Sequence, residues 1–223
     1  MKTGYFLKHL AGTCLFYSVL FVSAGRTDFW QAWVYVFLGI VMLFLNYTVF
    51  KPDAALLNER SKPGPDALNW DKTILGLSFL ATITMFVKAG LDTGRFHWSP
   101  PVHISLHLAG ILLTAAGQLL FLIAQKQNGF FSSTVRIQSE REHVVCDTGL
   151  YKFVRHPAYL GSMIQALGFP LLFGSVWSSI PVVFMVLLFL IRTKLEDAFL
   201  KKELSGYSEY AEKTRFKILP HLW

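Results

Sequence analysis

Long apolar runs separated by short polar stretches organise this chain from end to end. A membrane-spanning helix needs about 20 mostly apolar residues. The first run that meets this need covers residues 6–24. The second covers residues 30–50 and holds one amide, Asn46, and the third covers residues 73–91 with Lys88 near its end. A fourth starts after Pro100-Pro101 and covers residues 102–124. Two further runs, residues 159–173 and 176–191, are separated by Gly174-Ser175, and each is short for a full span. They read as two tilted helices or as a helical hairpin that crosses only in part. A charged helix over residues 192–204 follows, with Gly206 as its stop. The expected fold is all-α: a polytopic transmembrane helix bundle of about six apolar segments, the last two a candidate hairpin.

Basic residues sort the loops into two kinds. Lys2 and Lys8 precede the first run, and Lys51, Arg60, Lys62 and Lys72 fill the loop before the third. Lys126, Arg136, Arg141, Lys152 and Arg155 follow the fourth run, and the tail holds Lys194, Lys201, Lys202, Lys213, Arg215 and Lys217. The intervening loops carry only Arg26, Arg95 or no base at all. This alternation predicts an integral membrane protein with both N- and C-termini in the cytosol.

Composition supports a lipid solvent. Of 223 residues, 53% are hydrophobic and only 16% charged, and the mean hydropathy is +0.42. The net charge of +7 would suit nucleic acid if it formed one patch, but the bases lie between apolar runs, so no nucleic-acid partner is expected. The two cysteines, Cys14 and Cys146, form no CxxC pattern and read as unpaired thiols. The first run ends in Val22-Ser23-Ala24-Gly25, a small-residue end like that of a signal peptide. The runs that follow favour an uncleaved first span.

Two polar segments concentrate candidate chemistry, and both fall on the cytosolic side of this topology. In residues 142–161, His143, Tyr151, Arg155, His156 and Tyr159 meet the start of an apolar run. Pro157 suits the first turn of a helix there, and Gly161 one turn later permits close approach of another backbone or a ligand. His156 and Tyr159 would share one helix face. An interfacial belt of aromatic and basic side chains accounts for Tyr151, Arg155 and Tyr159 but not for the density of ring donors and glycines. In the second segment Arg192 and Glu196 are one turn apart at the end of an apolar run, where ionisable groups need a partner or a polar cavity. They read as an arginine facing an anionic ligand and a carboxylate facing a cationic one, or as a helical ion pair. The tail from Tyr207 and Tyr210 to Arg215 and Pro220 suits membrane-surface packing as well as ligand contact. His103 and His107 have helical metal-ligand spacing but lack a third ligand, so no metal is expected. Asn46, Gln118 and Gln165 read as hydrogen-bond links between helices.

The run Arg155-His156-Pro157-x-Tyr159-x-Gly161, an apolar hairpin, then Arg192-x-x-x-Glu196-Asp197 resembles the signature of the isoprenylcysteine carboxyl methyltransferase and phospholipid methyltransferase superfamily. The lead-in from His143 to Tyr151 and the aromatic tail are similar as well, so the resemblance covers roughly the last 100 residues. It implies an S-adenosyl-L-methionine-dependent methyltransferase acting on a lipidic or amphiphilic small molecule, an isoprenylcysteine-like carboxylate or a phospholipid-like amine, with membrane lipids as surroundings. It divides the chain into N-terminal transmembrane helices (1–102) and a C-terminal methyltransferase region (103–223) with a cytosolic cofactor pocket. By the same resemblance His143, Gly149, Tyr151, Arg155, His156, Pro157, Tyr159, Gly161 and Glu196 surround the cofactor, and Arg192 and Glu196 are the catalytic pair. Two positions depart from the family pattern: Asp197 stands where a second glutamate is usual, and Leu150 where proline is common.

Two other functions fit a membrane bundle. A sterol-type NADPH-dependent reductase would carry Asn before the tyrosine and an acid after the glycine, where this chain has Ala158 and Ser162. A non-catalytic scaffold or carrier would need none of these side chains for chemistry.

Overall fold

The computed structural model describes residues 2–52, 54–61, 67–220 and 222–223. In chain order the helices are α1 (Lys2–Ala24), α2 (Trp30–Leu45), α3 (Ala54–Ser61), α4 (Asn69–Ala89), α5 (Ile104–Gln127), α6 (Pro157–Phe173), α7 (Ser179–Glu203) and α8 (Tyr207–Lys213). Wider π-helical turns extend α2 through Asn46–Phe50 and α4 through Gly90–Phe96. There is no strand among the described residues. The fold is the expected polytopic helical membrane bundle.

Among the described residues three helices are long and apolar enough to cross a membrane: Trp30–Phe50, Asn69–Phe96 and Ile104–Gln127. The apolar helices Leu10–Ala24 and Pro157–Phe173 are shorter. The outer face of α2 shows why lipid must be the solvent. Trp33, Phe37, Ile40 and Phe44 share one side of the helix and are all exposed. In water they would form an aggregating patch, whereas in hydrocarbon they are simply solvated.

Because lipid is as apolar as leucine, the helices associate through close packing rather than through water exclusion. α5 and α6 come closest. A Cβ on Gly117 would lie 2.4 Å from the Gln165 nitrogen, and one on Gly161 would lie 2.7 Å from the Gly117 carbonyl. Only glycine at both positions lets these backbones touch. A second locking device is aromatic. Tyr35 of α2 meets Phe86 of α4 at 5.6 Å and Phe169 of α6 at 5.3 Å, and Phe169 meets Phe173 at 4.5 Å. Such pairs contribute about 0.5–1.5 kcal/mol each beyond area burial.

Several boundaries differ from the sequence reading. The run at 176–191 and the charged helix after it are one continuous helix, α7, because nothing between Leu190 and Lys194 breaks the backbone ladder. α4 begins at Asn69, ahead of the apolar run, and so brings Asp71 into its first turn. α3 lies in a stretch read as a polar loop. Of the three amides expected to link helices, Gln165 of α6 lies near the Tyr35 hydroxyl of α2. The Asn46 Oδ1 and Gln118 Oε1 atoms are buried without a partner among the described residues. His103 caps α5 through Ser105, and His107 bonds the Leu172 carbonyl at 2.8 Å, so the two rings serve separate structural roles.

Candidate active site

At one end of the bundle a cavity of about 370 Å³ opens between α4, α6, α7 and the connection from α5 to α6. That connection, residues 128–148, crosses the cavity as a strap, and two carboxylates from the first third of the chain tie it down. Glu59 of α3 accepts from Arg136 Nε at 2.9 Å, from Arg136 Nη2 at 2.6 Å and from the Ser132 hydroxyl at 2.7 Å. The Arg136 guanidinium holds the Glu59 carboxyl below the usual carboxylate range. Asp71 of α4 accepts from the Val135 backbone N–H at 2.8 Å. Within the strap, Gln138 is fully buried and donates to the Phe130 carbonyl at 2.7 Å, while Arg141 donates to Gln138 Oε1 at 2.6 Å.

His143 closes the strap. Its ring stacks on Phe130 at 4.5 Å, and its Nδ1 accepts from the Gln138 N–H at 3.3 Å. Burial, reinforced by the Arg141 and Arg136 charges, pushes its imidazole down to about 4, so it is neutral at physiological pH. The next turn depends on Gly149, which sits at φ +59° with Gln127 against it; a Cβ there would lie 2.4 Å from the Gln127 amide. The Gln127 Oε1 accepts from Leu150 N–H at 2.8 Å and fixes the turn. Tyr151 then points inward, its hydroxyl donating to the Ala124 carbonyl at 3.3 Å. Burial raises its phenol well above the ordinary range, so it stays protonated.

His156 and Pro157 start α6, with Pro157 at a first-turn position where its missing N–H costs nothing. The His156 ring lies parallel to Tyr159 at 5.6 Å, as their spacing on one face predicts. The Tyr159 hydroxyl donates to Glu196 of α7. The Arg192 guanidinium lies 5.2 Å from the centre of the Tyr159 ring.

Of the residues assigned to the site from sequence, His143, Tyr151, Arg155, His156, Tyr159, Arg192 and Glu196 all line this one cavity. Gly149, Pro157 and Gly161 stand outside its lining and shape it through the backbone. Arg155 lies on the wall with its donors committed. Nε and Nη2 bond Asp197 at 2.6 and 3.0 Å, and Nη1 bonds the Thr214 and Arg215 carbonyls at 2.7 and 2.8 Å. Asp197 also accepts from the Tyr207 hydroxyl at 3.1 Å. The family departure at Asp197 therefore falls in the joint that fastens the C-terminal tail, not in the cavity lining. Arg192 does not pair with Glu196, as a helical ion pair would require. Its partner is Asp71, with Nε donating to Oδ1 at 2.7 Å.

Sequence reasoning missed Asp71, Glu59 and Arg136. Asp71 gave a usable signal, because an ionisable residue at the mouth of an apolar helix needs a partner. Glu59 and Arg136 lie in polar stretches where their pairing leaves no local pattern. Thr134 was missed as well; it lines the cavity, and its buried hydroxyl has no partner among the described residues. Leu75, Phe121, Phe131, Phe189 and Leu200 add apolar lining to the same cavity. The cavity thus offers polar, charged and hydrocarbon surface within one enclosure. Among the described residues no group of three His, Cys, Asp or Glu side chains is arranged as metal ligands.

Residues 108–202 match the isoprenylcysteine carboxyl methyltransferase (ICMT) family. The chain is 36% identical over 151 residues to the protein-S-isoprenylcysteine O-methyltransferase of Saccharomyces cerevisiae, covering 66% of this chain and 63% of that protein. It is 34% identical over 102 residues to the Schizosaccharomyces pombe protein of the same name, covering 44% of this chain and 42% of that one. A probable protein-S-isoprenylcysteine O-methyltransferase of Oryza sativa subsp. indica is 26% identical over 107 residues, covering 47% of this chain and 56% of the rice protein. The matches thus span less than two thirds of each of these relatives. The family match takes in α6, nearly all of α7 and the cavity residues from Phe121 to Leu200. Through this region the chain is similar to the isoprenylcysteine carboxyl methyltransferase family.

Proposed function

We propose that the chain is an S-adenosyl-L-methionine-dependent methyltransferase of the membrane, acting on the carboxylate of an isoprenylcysteine-like acceptor. The observation that carries this reading is the convergence of Glu196, Tyr159, His156 and Arg192 on one cavity that is also lined by apolar side chains.

The residues fit such a cofactor. The volume of about 370 Å³ falls in the range of roughly 300–1,000 Å³ found for small-molecule sites. The unpartnered Thr134 hydroxyl and the neutral His143 are polar contacts for a nucleoside. Glu196 and the faces of Tyr159 and His156 provide negative potential for a sulfonium cation. When bound, the cofactor supplies an electrophilic methyl group on positively charged sulfur.

Everything else falls to the chain. A carboxylate acceptor is ionised at neutral pH and needs no general base, so the task is alignment and exclusion of water. Arg192 holds the acceptor's carboxylate by charge-assisted hydrogen bonds. Tyr159 fixes the Glu196 carboxylate through its hydroxyl. The strap covers the cavity, and Leu75, Phe121 and Phe189 in its lining receive the hydrocarbon chain. In this reading the N-terminal helices (1–102) and the methyltransferase region (103–223) share the site, since Asp71 and Glu59 of the former hold parts of the latter. Both termini lie on the cytosolic face, where the polar cofactor enters.

An amine acceptor would need Glu196 or His156 to take a proton. A reductase is disfavoured by Ala158 and Ser162, which both line the cavity with small neutral side chains. The test is transfer of labelled methyl from S-adenosyl-L-methionine to an S-prenylcysteine and, in parallel, to a phospholipid amine. Transfer to the former alone is expected. Glu196→Gln should weaken cofactor binding about tenfold or more, as expected for losing a charged contact. Stabilisation by NADPH and not by S-adenosyl-L-methionine would overturn the reading.

A further inference from the structure

Asp71 and Arg192 are 121 residues apart in sequence yet form a buried ion pair. Asp71 is 0% exposed, in the first turn of α4. Its Oδ1 accepts from Arg192 Nε at 2.7 Å, and its Oδ2 accepts from the Val135 N–H at 2.8 Å and from Arg192 Nη2 at 3.3 Å. Arg192 Nη2 also donates to the Ser133 carbonyl at 3.0 Å. A guanidinium has five N–H donors in a rigid planar fork. Asp71 and Ser133 engage the one on Nε and both on Nη2. The two on Nη1 have no hydrogen-bond partner among the described residues, and Arg192 lines the cavity.

We propose that Asp71 is a positioning residue: it locks the fork of Arg192 so that Nη1 is the arm offered to the acceptor's carboxylate. The inference deepens the reading above and rests on it for the acceptor's identity. The geometry explains why a charge is needed at this place. Glu196 lies one turn along α7 from Arg192, the spacing at which opposite charges pair on a helix. A neutral residue at position 71 would leave Arg192 to turn to Glu196, and the two groups would quench each other instead of facing two ligands. Asp71 keeps them apart, and through Val135 it sets the strap over the same corner.

The test is discrimination between an S-prenylcysteine and its methyl ester, measured by calorimetry on the full chain in detergent without cofactor. The wild type is expected to favour the carboxylate by about tenfold, the scale of one charge-assisted contact. In Asp71→Asn the preference should shrink to within about twofold, and Arg192→Gln should do the same. The double variant should lose nothing more, because both substitutions remove one device. Asp92→Ala perturbs the other end of α4, away from Arg192 and the strap, and should keep the preference. Should Asp71→Asn fail to fold, Asp71→Glu keeps the charge but displaces it, with the same loss expected. The proposal is overturned if the wild type shows no preference, if Asp71→Asn keeps it while Arg192→Gln loses it, or if Asp92→Ala loses it equally. A wild type that discriminates but transfers no methyl group would sink the methyltransferase reading and leave the role of Asp71 standing.

Discussion

α4 and its π-helical extension carry a fully buried aspartate at each end, and the two are solved in opposite ways. Asp92 is met by four neutral donors: the Ser99 N–H at 2.7 Å, the Ser99 and Ser175 hydroxyls at 2.6 Å each, and the Trp177 N–H at 3.4 Å. These bonds tie the turn before α5 to the turn between α6 and α7, and no reactive group is left over. Asp71 is met by a backbone N–H and by the guanidinium of Arg192, which also lines a cavity. The first arrangement is a closed fastening. The second fastens and, at the same time, presents a charge. Burial of an acid therefore does not identify a site; the identity of its donors does.

The largest effect should come from breaking the charged fastening on one side. Arg192→Met leaves Asp71 buried and unpaired, which should cost about 4 kcal/mol of stability in denaturant titrations in detergent. Adding Asp71→Asn should restore most of that loss, since the amide oxygen can still accept from Val135, while methyl transfer stays absent. A double variant as unstable as the single would show that the charge is not the source of the cost.

Asp92→Ala should cost somewhat less, about 3 kcal/mol, because it strands neutral donors rather than an ion. Its cofactor affinity and its preference between carboxylate and ester should match the wild type. A change in that preference without a change in stability would erase the contrast between the two ends.

A smaller effect belongs to His143. Its pKa is about 4 in the fold, and an unfolded histidine titrates near 6.5, so the unfolded chain takes up the proton first. Its contribution to stability is complete above about pH 6.5 and is lost as the pH falls from there towards 4. Replacing His143 by Gln should flatten the fall in melting temperature between these limits, and an unchanged slope would count against a buried neutral ring. The smallest effect is expected at Glu140, whose exposed carboxylate shares Arg136 with the buried Glu59. Glu140→Ala should leave the melting temperature essentially unmoved, whereas Glu59→Gln should lower it measurably.

Much of the site was legible because its parts are local. Pro157 at the start of a helix, the shared face of His156 and Tyr159, and the one-turn spacing of Arg192 and Glu196 all follow from helix periodicity. The resemblance to the methyltransferase superfamily rested on the same short runs. Gly161 was legible as a place of close approach, and the α5 backbone approaches there. The partner of Arg192 was not legible, because spacing suggested Glu196 and only the packing of α4 against α7 brings Asp71 nearer.

The sequence by itself determined that lipid is the solvent, where the apolar helices run, and which end of the bundle holds the ring donors and charges. Hydropathy and helix periodicity are properties of neighbouring residues, so they can be read along the chain. Only the tertiary structure decided which charge meets which, that a strap from residue 128 to residue 148 crosses the cavity, and that Glu59 and Asp71 hold it there. A buried ion must find its counter-ion wherever the packed helices bring one within reach, and that distance is set by the fold and not by separation along the chain.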